Sequence, residues 1–147
     1  MKAFFNFFNK VGDYTSNWLL LVVRLYWGIL FAQAGWGKLQ DLSKPIAFFA
    51  KLGIPYPELH APLVGYTEFI GGILLAVGLF SRIVSIPLII TMVVALIVAH
   101  GASLGNLAGI VKETPFNFLL ASLIVLSFGA GKFSLDYLFG VPGNKSK

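Results

Sequence analysis

Cysteine is absent from this 147-residue chain, and charged residues make up only 12% of it. Without cysteine, a disulfide framework, a thiolate-bound iron–sulfur cluster, a thiolate zinc site and cysteine-dependent redox chemistry are all excluded. A soluble domain carries about 25% charged residues, whereas this chain combines low charge with 57% hydrophobic residues. The composition therefore excludes an ordinary soluble domain and a disordered chain, and it predicts a small membrane protein with several spans.

Four apolar runs are long enough to cross a bilayer as helices, for which about 20 residues are needed. They cover approximately residues 18–37, 59–80, 83–100 and 115–131. Each run is continuous, whereas the strands of a membrane barrel alternate in hydrophobicity over about 10 residues. The sequence therefore predicts an all-α fold, a polytopic four-helix membrane bundle that forms a single domain over residues 1–147.

Two further helices are predicted outside these spans. At the N-terminus, one helical face collects apolar side chains, as in an amphipathic helix that lies at the membrane interface. These side chains are Phe4, Phe7, Phe8 and Val11. Between the first two spans, Ile46 and Phe49 share a helical face, and Gly53 ends the pattern. This second pattern indicates a short interfacial or re-entrant helix.

The distribution of basic residues predicts the orientation in the membrane and the partners. Six Lys and Arg residues lie on one side of the predicted bundle and four on the other: Lys2, Lys10, Arg82, Lys132, Lys145 and Lys147 against Lys38, Lys44, Lys51 and Lys112. Because cytoplasmic loops carry an excess of basic residues, both termini are predicted to lie in the cytoplasm. The basic residues are scattered, which suits an anionic bilayer and not nucleic acid.

Arg24 and Glu68 interrupt the first and second apolar runs. A charge near the bilayer centre costs several kcal/mol, so such side chains usually face the bundle interior. With Lys38 and His60 taken as markers of the outer surface, the two charges differ in depth by about 9 Å at 1.5 Å per residue. This spacing allows an Arg24–Glu68 pair, which would be either a structural ion pair or a functional one in which Arg24 tunes Glu68.

Other polar residues collect at the outer ends of the predicted helices. Because these ends converge in an up-down-up-down bundle, we expect a pocket there that holds an amphipathic ligand, with its headgroup near the interface and its tail in lipid. The expected lining residues are Gln33, Lys38, Glu68 and His100, with Lys112 and Glu113 close by. Lysines at such positions also occur as ordinary interface residues, whereas histidine suits proton transfer near neutral pH.

Metal and haem sites are not expected. His60 and His100 lie at similar predicted depth, as the two axial ligands of a haem in a bundle do. No CxxCH motif accompanies them, and no carboxylate–histidine cluster in the sequence has the spacing of metal ligands.

Several short motifs follow one another in an order that is specific as a set. They are Arg24, the Gly35-Trp36-Gly37-Lys38-Leu39 run, Leu52-Gly53-Ile54-Pro55, Glu68-Phe69-Ile70-Gly71-Gly72, Gly78-Leu79-Phe80-Ser81-Arg82, Ala99-His100, Glu113 and the stretch from Gly129 to Asp136. Over about residues 21–136 the chain resembles the DoxX family. The resemblance implies a four-helix bundle in the bacterial cytoplasmic (inner) membrane. It also suggests a redox role, because relatives include a subunit of a thiosulfate:quinone oxidoreductase.

Two functional hypotheses follow. In the leading one, the chain is a membrane subunit of a redox system that binds quinone or a similar lipidic molecule, and electrons come from a redox partner protein or a soluble substrate. The candidate catalytic residues are Glu68 and His100, and the candidate ligand-binding residues are Arg24, Gln33, Lys38 and Glu113. In the second hypothesis the chain is a non-enzymatic scaffold or small-molecule carrier. Since four helices are few for a transporter, a homo-oligomer is expected in that case.

Overall fold

The structure, a computed structural model, describes residues 1–142, and within that range the chain forms seven α-helices and one 3₁₀ helix. The α-helices are α1 (Lys2–Gln40), α2 (Ser43–Lys51), α3 (Pro57–Val77), α4 (Ser81–Ala99), α5 (Leu107–Ile110), α6 (Thr114–Phe128) and α7 (Leu135–Leu138), and the 3₁₀ helix is Gly101–Gly105. Lys145 and Lys147, which entered the charge count, lie outside the described residues, as does the side chain of Lys2.

Helices α1, α3 and α4 are long and apolar enough to cross a membrane, and α6 is a shorter apolar helix of 15 residues. The predicted all-α membrane fold is confirmed, and the ends of the last three spans differ from the predicted ends by a few residues. Glycine explains where α3 stops, because Gly78 adopts φ of 74°, a left-handed conformation that commonly ends helices.

The N-terminal helix is present, but it is continuous with the first span. Helix α1 runs without a break for 39 residues, about 58 Å. Between the amphipathic stretch and the first apolar run, Gly12 is the only helix-breaking residue, and a single helical glycine costs about 1 kcal/mol without ending a helix. Helix α2 forms where the second short helix was predicted, and Gly53 follows it with φ of 74°.

Glycines fix how α1 and α3 cross. A Cβ atom added to Gly28 would lie 2.7 Å from the Ala76 backbone nitrogen, and one added to Gly35 would lie 2.3 Å from the Phe69 nitrogen. The two antiparallel backbones therefore touch, as small residues allow in membrane bundles. This contact sets the register of the two helices, so the start of α1's membrane stretch lies opposite the end of α3.

The apolar core lies between this helix pair and the α4–α6 pair. Phe31 of α1 packs edge-on against Phe118 of α6, with ring centroids 4.4 Å apart. Leu75 and Leu88 are fully buried in the same cluster. The core separates two polar regions, one at each end of the bundle.

Candidate functional site

Glu68 forms an ion pair with Lys38, not with Arg24. The Nζ atom of Lys38 donates to Oε2 of Glu68. Glu68 is buried at 3% exposure, and the Lys38 side chain is 30% exposed. The register of α1 and α3 explains the pairing, because the backbone of Gly65 lies against Leu39 at this end of the crossing. Lys38 therefore lies opposite Gly65, one helical turn along α3 from Glu68, and its side chain reaches the Glu68 carboxylate.

The sequence allowed an Arg24–Glu68 pair, and that expectation was wrong. The same register places Arg24 opposite Gly78, where a Cβ atom would lie 1.8 Å from Nη1 of Arg24. Gly78 is ten residues along α3 from Glu68, which corresponds to about 15 Å at 1.5 Å per residue. The depth estimate failed because Lys38 and His60 do not mark the same level of the bundle.

Arg24 is fully buried in a second polar cluster, which we call the arginine clamp: Arg24, Gly78, Asp136 and the backbone around them. Its Nη2 donates to the Phe133 carbonyl at 2.5 Å, and its Nη1 donates to the Ala76 carbonyl at 3.4 Å. The carboxylate of Asp136 attracts the guanidinium. Arg24 therefore does not line the pocket expected from the sequence.

Asp136 holds the clamp to the start of α4. Its carboxylate oxygens accept hydrogen bonds from the backbone nitrogens of Phe80 at 2.6 Å and Ser81 at 2.9 Å. A negative charge is stabilised at a helix N-terminus. The backbone nitrogen of Asp136 also donates to the Gly78 carbonyl at 2.8 Å. These bonds fasten the chain after α6 to the turn between α3 and α4.

A cavity of about 720 Å³ adjoins the Lys38–Glu68 pair. Helices α1, α2, α3, α4 and α6 all contribute to its walls. Its polar side chains are Lys38, His60, Thr67, Glu68, Thr91, His100 and Thr114. Apolar and aromatic side chains form the remainder, among them Phe31, Phe48, Phe49, Leu63, Val94 and Phe118. The size and the mixture of apolar walls with few polar groups are typical of small-molecule sites, which measure about 300–1,000 Å³.

The polar groups of the cavity lie at two levels. A Cβ atom on Gly71 of α3 would lie 3.0 Å from Leu88 of α4, and this contact sets the register of that hairpin. Counted from it, Glu68 lies level with Thr91. His60 and His100 lie level with each other, about 12 Å further along the bundle at 1.5 Å per residue. The cavity thus extends from the histidines to the ion pair.

His100 ends α4 and connects it to the segment before α6. Its Nε2 lies 3.2 Å from Oε2 of Glu113, and its Nδ1 lies 3.2 Å from the Ala95 carbonyl. Ser103 donates to the other carboxylate oxygen of Glu113 at 2.6 Å. Glu113 therefore contacts His100 from behind and does not itself line the cavity.

Gln33 lies apart from the cavity. It is exposed on the outer side of α1 and borders a shallow apolar groove with Trp36 and Phe69. Adjacent helical residues point about 100° apart, so Ala34 lines the cavity and Gln33 does not. The expectation that Gln33 lines the same pocket as Lys38 was wrong.

The sequence did not identify the aromatic wall that α2 adds to the cavity. Phe48 and Phe49 of α2 both line it. The helical pattern of the segment was recognised, but a pattern of one short helix does not tell which neighbouring helix it covers.

The site can bind a polar headgroup in an apolar environment. Lys38 supplies an ammonium with three donors, Glu68 a carboxylate and His100 an imidazole. Over residues 1–142, no three His, Asp or Glu side chains are grouped as metal ligands would be. The side chains of Lys38, Glu68 and His100 are of types that can form hydrogen bonds and exchange protons.

Comparison with known proteins agrees with this picture of a membrane bundle. The DoxX family model matches residues 19–101. The chain is 30% identical over 129 residues to "Uncharacterized membrane protein Rv3486" of Mycobacterium tuberculosis, covering 80% of this chain and 78% of the relative. It is also 30% identical over 118 residues to "Putative oxidoreductase CatD" of Bacillus subtilis, covering 79% of this chain and 83% of that relative. No solved structure matches the chain.

The matched stretch contains Arg24, Lys38, Glu68 and His100. It therefore includes both the arginine clamp's central side chain and the polar groups of the cavity except Thr114. Since the family model covers more than half of the chain and both relatives align over most of their length, the chain belongs to the DoxX family.

Proposed function

We propose that this protein is an integral membrane subunit of a redox system and that it binds a quinone, or a similar lipidic molecule, in the cavity beside Glu68. One observation carries the proposal: an apolar cavity of about 720 Å³ is lined at one level by buried Glu68, paired with the partly exposed Lys38, and at another level by His100. A buried carboxylate is a costly feature in a membrane, and such residues often mark functional sites.

The residues present fit a quinone. A quinone has two carbonyl oxygens that accept hydrogen bonds, and its ring and tail are apolar. Lys38 offers ammonium donors to a headgroup carbonyl, whereas His100 lines the cavity about 12 Å further along and has both ring nitrogens in contact with Glu113 and the Ala95 carbonyl. The aromatic side chains of Phe31, Phe49 and Phe118 provide apolar surface for a ring. When bound, a quinone supplies the capacity to take up two electrons and two protons.

Each polar residue has a separate task in this proposal. Lys38 donates a hydrogen bond to a carbonyl oxygen and fixes the headgroup. Glu68 accepts or releases a proton at its carboxylate while Lys38 balances its charge. His100 relays a proton between the cavity and Glu113, to which its Nε2 is already close. Arg24 and Gln33 take no part, because neither lines the cavity.

The electrons come from a redox partner protein or a soluble reductant, because the described side chains provide no redox-active group. The printed name of the Bacillus subtilis relative supports a redox role. We further propose residence in the bacterial cytoplasmic membrane with both termini in the cytoplasm, as the lysine and arginine counts predict.

The test is the quinone content of the purified protein. Wild-type protein and the Glu68→Gln and Lys38→Met variants are extracted in mild detergent, and isoprenoid quinone per protein is measured by mass spectrometry. Glu58→Gln is the matched control, because Glu58 is an exposed carboxylate on the same helix. We expect near-stoichiometric quinone in wild-type and Glu58→Gln protein, and strongly reduced quinone in the two cavity variants.

Background quinone in all four proteins would contradict the proposal. A scaffold or carrier role would then be the better interpretation, and stable association with another membrane protein or a second copy would be the next property to measure. If wild-type and Glu68→Gln protein contained equal amounts of quinone, the protein would still bind quinone, but Glu68 would not be part of the binding site.

A further inference from the structure

The cavity is closed on one side and open on another. On the closed side, Phe31 of α1 packs against Phe118 of α6 with ring centroids 4.4 Å apart. On the opposite side, between α3 and α4, several cavity-lining side chains are also exposed at the outer surface of the bundle. Leu63 of α3 is 58% exposed, and Ile90 of α4 is 57% exposed.

Helices α3 and α4 are in close contact at one end and are separated by the cavity at the other. Near their connecting turn, Gly71 allows Leu88 to approach its backbone. Beyond that contact, both helices contribute lining residues, Leu63 and Thr67 from α3 and Val94 and Val98 from α4. Each helix contains a proline, Pro62 and Pro87. Proline removes a backbone hydrogen bond and permits a helix to bend.

The rim of this opening is apolar. Leu63, Ile90 and Val94 lie on it, and all three are aliphatic side chains on helices apolar enough to cross a membrane. Contact of such an apolar rim with water is unfavourable, whereas its contact with lipid hydrocarbon is favourable. The polar groups of the cavity lie deeper, at Glu68 and Lys38.

We propose that this gap between α3 and α4 is a lateral portal to the bilayer, through which the apolar tail of the bound molecule extends into lipid. The inference rests on the proposed function and specifies its ligand class: a polar ring at Lys38 and Glu68 with a long hydrocarbon tail. The ion pair lies about 12 Å below the histidine level, so a tail leaving sideways emerges among lipid chains. A water-soluble ligand without a hydrocarbon tail would gain no apolar contact from an opening toward the bilayer.

Two probes and one pair of matched variants test the portal. The probes are a benzoquinone with a ten-carbon alkyl tail and the same ring with a methyl group in place of the tail. Val94→Trp places a bulky ring on the rim. Ile97→Trp is the control, because Ile97 is also exposed on α4, at 59% against 44% for Val94, but does not line the cavity. Dissociation constants are measured by calorimetry in the same detergent for all proteins.

We expect Val94→Trp to weaken binding of the tailed quinone about tenfold or more, the loss expected when two buried methylene groups are displaced. Binding of the short probe should stay within about threefold of wild type, which also shows that the variant's site is folded. Ile97→Trp should change neither constant. Leu63→Trp, on the opposite rim, should repeat the Val94→Trp result.

Other outcomes overturn the portal. Equal weakening of both probes by Val94→Trp and Leu63→Trp would place the obstruction at the ring site, and unchanged binding of the tailed probe would show that the tail leaves elsewhere. Failure of wild-type protein to bind either probe would overturn the proposed function together with the portal. Binding of both probes without any effect of the rim variants would overturn the portal alone.

Discussion

The two polar regions of the bundle differ in where their hydrogen bonds go. In the arginine clamp, both terminal nitrogens of Arg24 donate to backbone carbonyls, and Asp136 accepts from backbone nitrogens at the start of α4. At the other end, Lys38 and Glu68 bond to each other and face a cavity. Both regions contain a buried charge, but Glu68 lines the large cavity and Arg24 does not.

This difference separates a structural role from a functional one. Arg24 bonds to the backbone of two other segments, which fixes how those segments pack, and it does not line the cavity. A lysine bonded to one carboxylate keeps ammonium donors for a second partner. Burial alone therefore does not identify a functional residue. The functional residue is identified by its hydrogen-bond partners and by whether it faces a cavity.

Removing Arg24 should have the largest effect on stability. Arg24→Met leaves Asp136 without its cation and leaves the Phe133 carbonyl without its donor. Loss of one partner from a buried charged group typically costs about 3–5 kcal/mol, so we expect the free energy of unfolding in detergent to fall by that amount. The ligand content of the folded fraction should not change.

Arg82→Met is the control for this prediction, because Arg82 is exposed and bonds one carbonyl at 3.3 Å. Its effect should be below about 0.5 kcal/mol, as for most surface substitutions. If Arg24→Met were as mild as Arg82→Met, or released a ligand from stable protein, the clamp would have to be regarded as part of the site.

Gly78→Ala should have the next largest effect, and Gly53→Ala isolates its cause. Both glycines adopt φ of 74°, so either substitution places alanine in a left-handed conformation at a cost of about 1–2 kcal/mol. A Cβ atom at Gly78 would also lie 1.8 Å from Nη1 of Arg24, whereas one at Gly53 meets nothing within 4 Å. We expect Gly78→Ala to lower the unfolding free energy by at least about 1 kcal/mol more than Gly53→Ala, because overpacking a filled site costs about 1–3 kcal/mol. Equal losses of unfolding free energy in the two variants would show that the Arg24 side chain moves away from the added methyl group without a cost in stability.

Glu68→Gln should have a smaller effect on stability than either clamp variant. Glutamine keeps the shape and can still accept from Lys38, and the partly exposed ammonium of Lys38 can be hydrated through the cavity. We expect a loss of about 1 kcal/mol, near the value of a single hydrogen bond, measured on ligand-free protein by the same unfolding assay. A loss as large as that of Arg24→Met would mean that the ion pair is structural and would weaken the proposed function.

The span positions and the polar groups at one end of the bundle could be predicted from the sequence, but the helix register could not. Apolar runs located the helices, and the placement of Lys38, Glu68 and His100 near the same end followed from alternating helix direction. The partner of Glu68 depends on which glycines touch. Each residue of shift moves a partner by about 1.5 Å and turns it by about 100°. This sensitivity also explains why Gln33 points away from the cavity while its neighbour Ala34 lines it.

The exposed ion pair of Asp41 with Lys44 provides a reference for the two polar regions compared above, and its removal should have the smallest effect. Oδ2 of Asp41 lies 3.3 Å from Nζ of Lys44, and Ser43 donates to Oδ1 at 2.5 Å. The hydrogen bond from Ser43, followed by that from Lys44, lowers the pKa of Asp41 below its ordinary value. A depressed folded pKa contributes stability that is fully present above the unfolded pKa, about 4, and is lost as pH falls through the lower folded value.

Asp41→Asn should therefore leave the unfolding midpoint nearly unchanged from neutral pH down to about pH 5, because an exposed pair of this kind stabilises little. The small difference between the wild-type and variant profiles should disappear only as the pH falls from about 4 through the lower folded pKa of Asp41, where the wild-type carboxylate becomes protonated. The measurement is thermal unfolding across this pH range in one detergent. A marked loss at neutral pH would show that Asp41 holds α2 in place over the cavity. The exposed pair could then no longer serve as a reference, because it would support α2, whose Phe48 and Phe49 line the site.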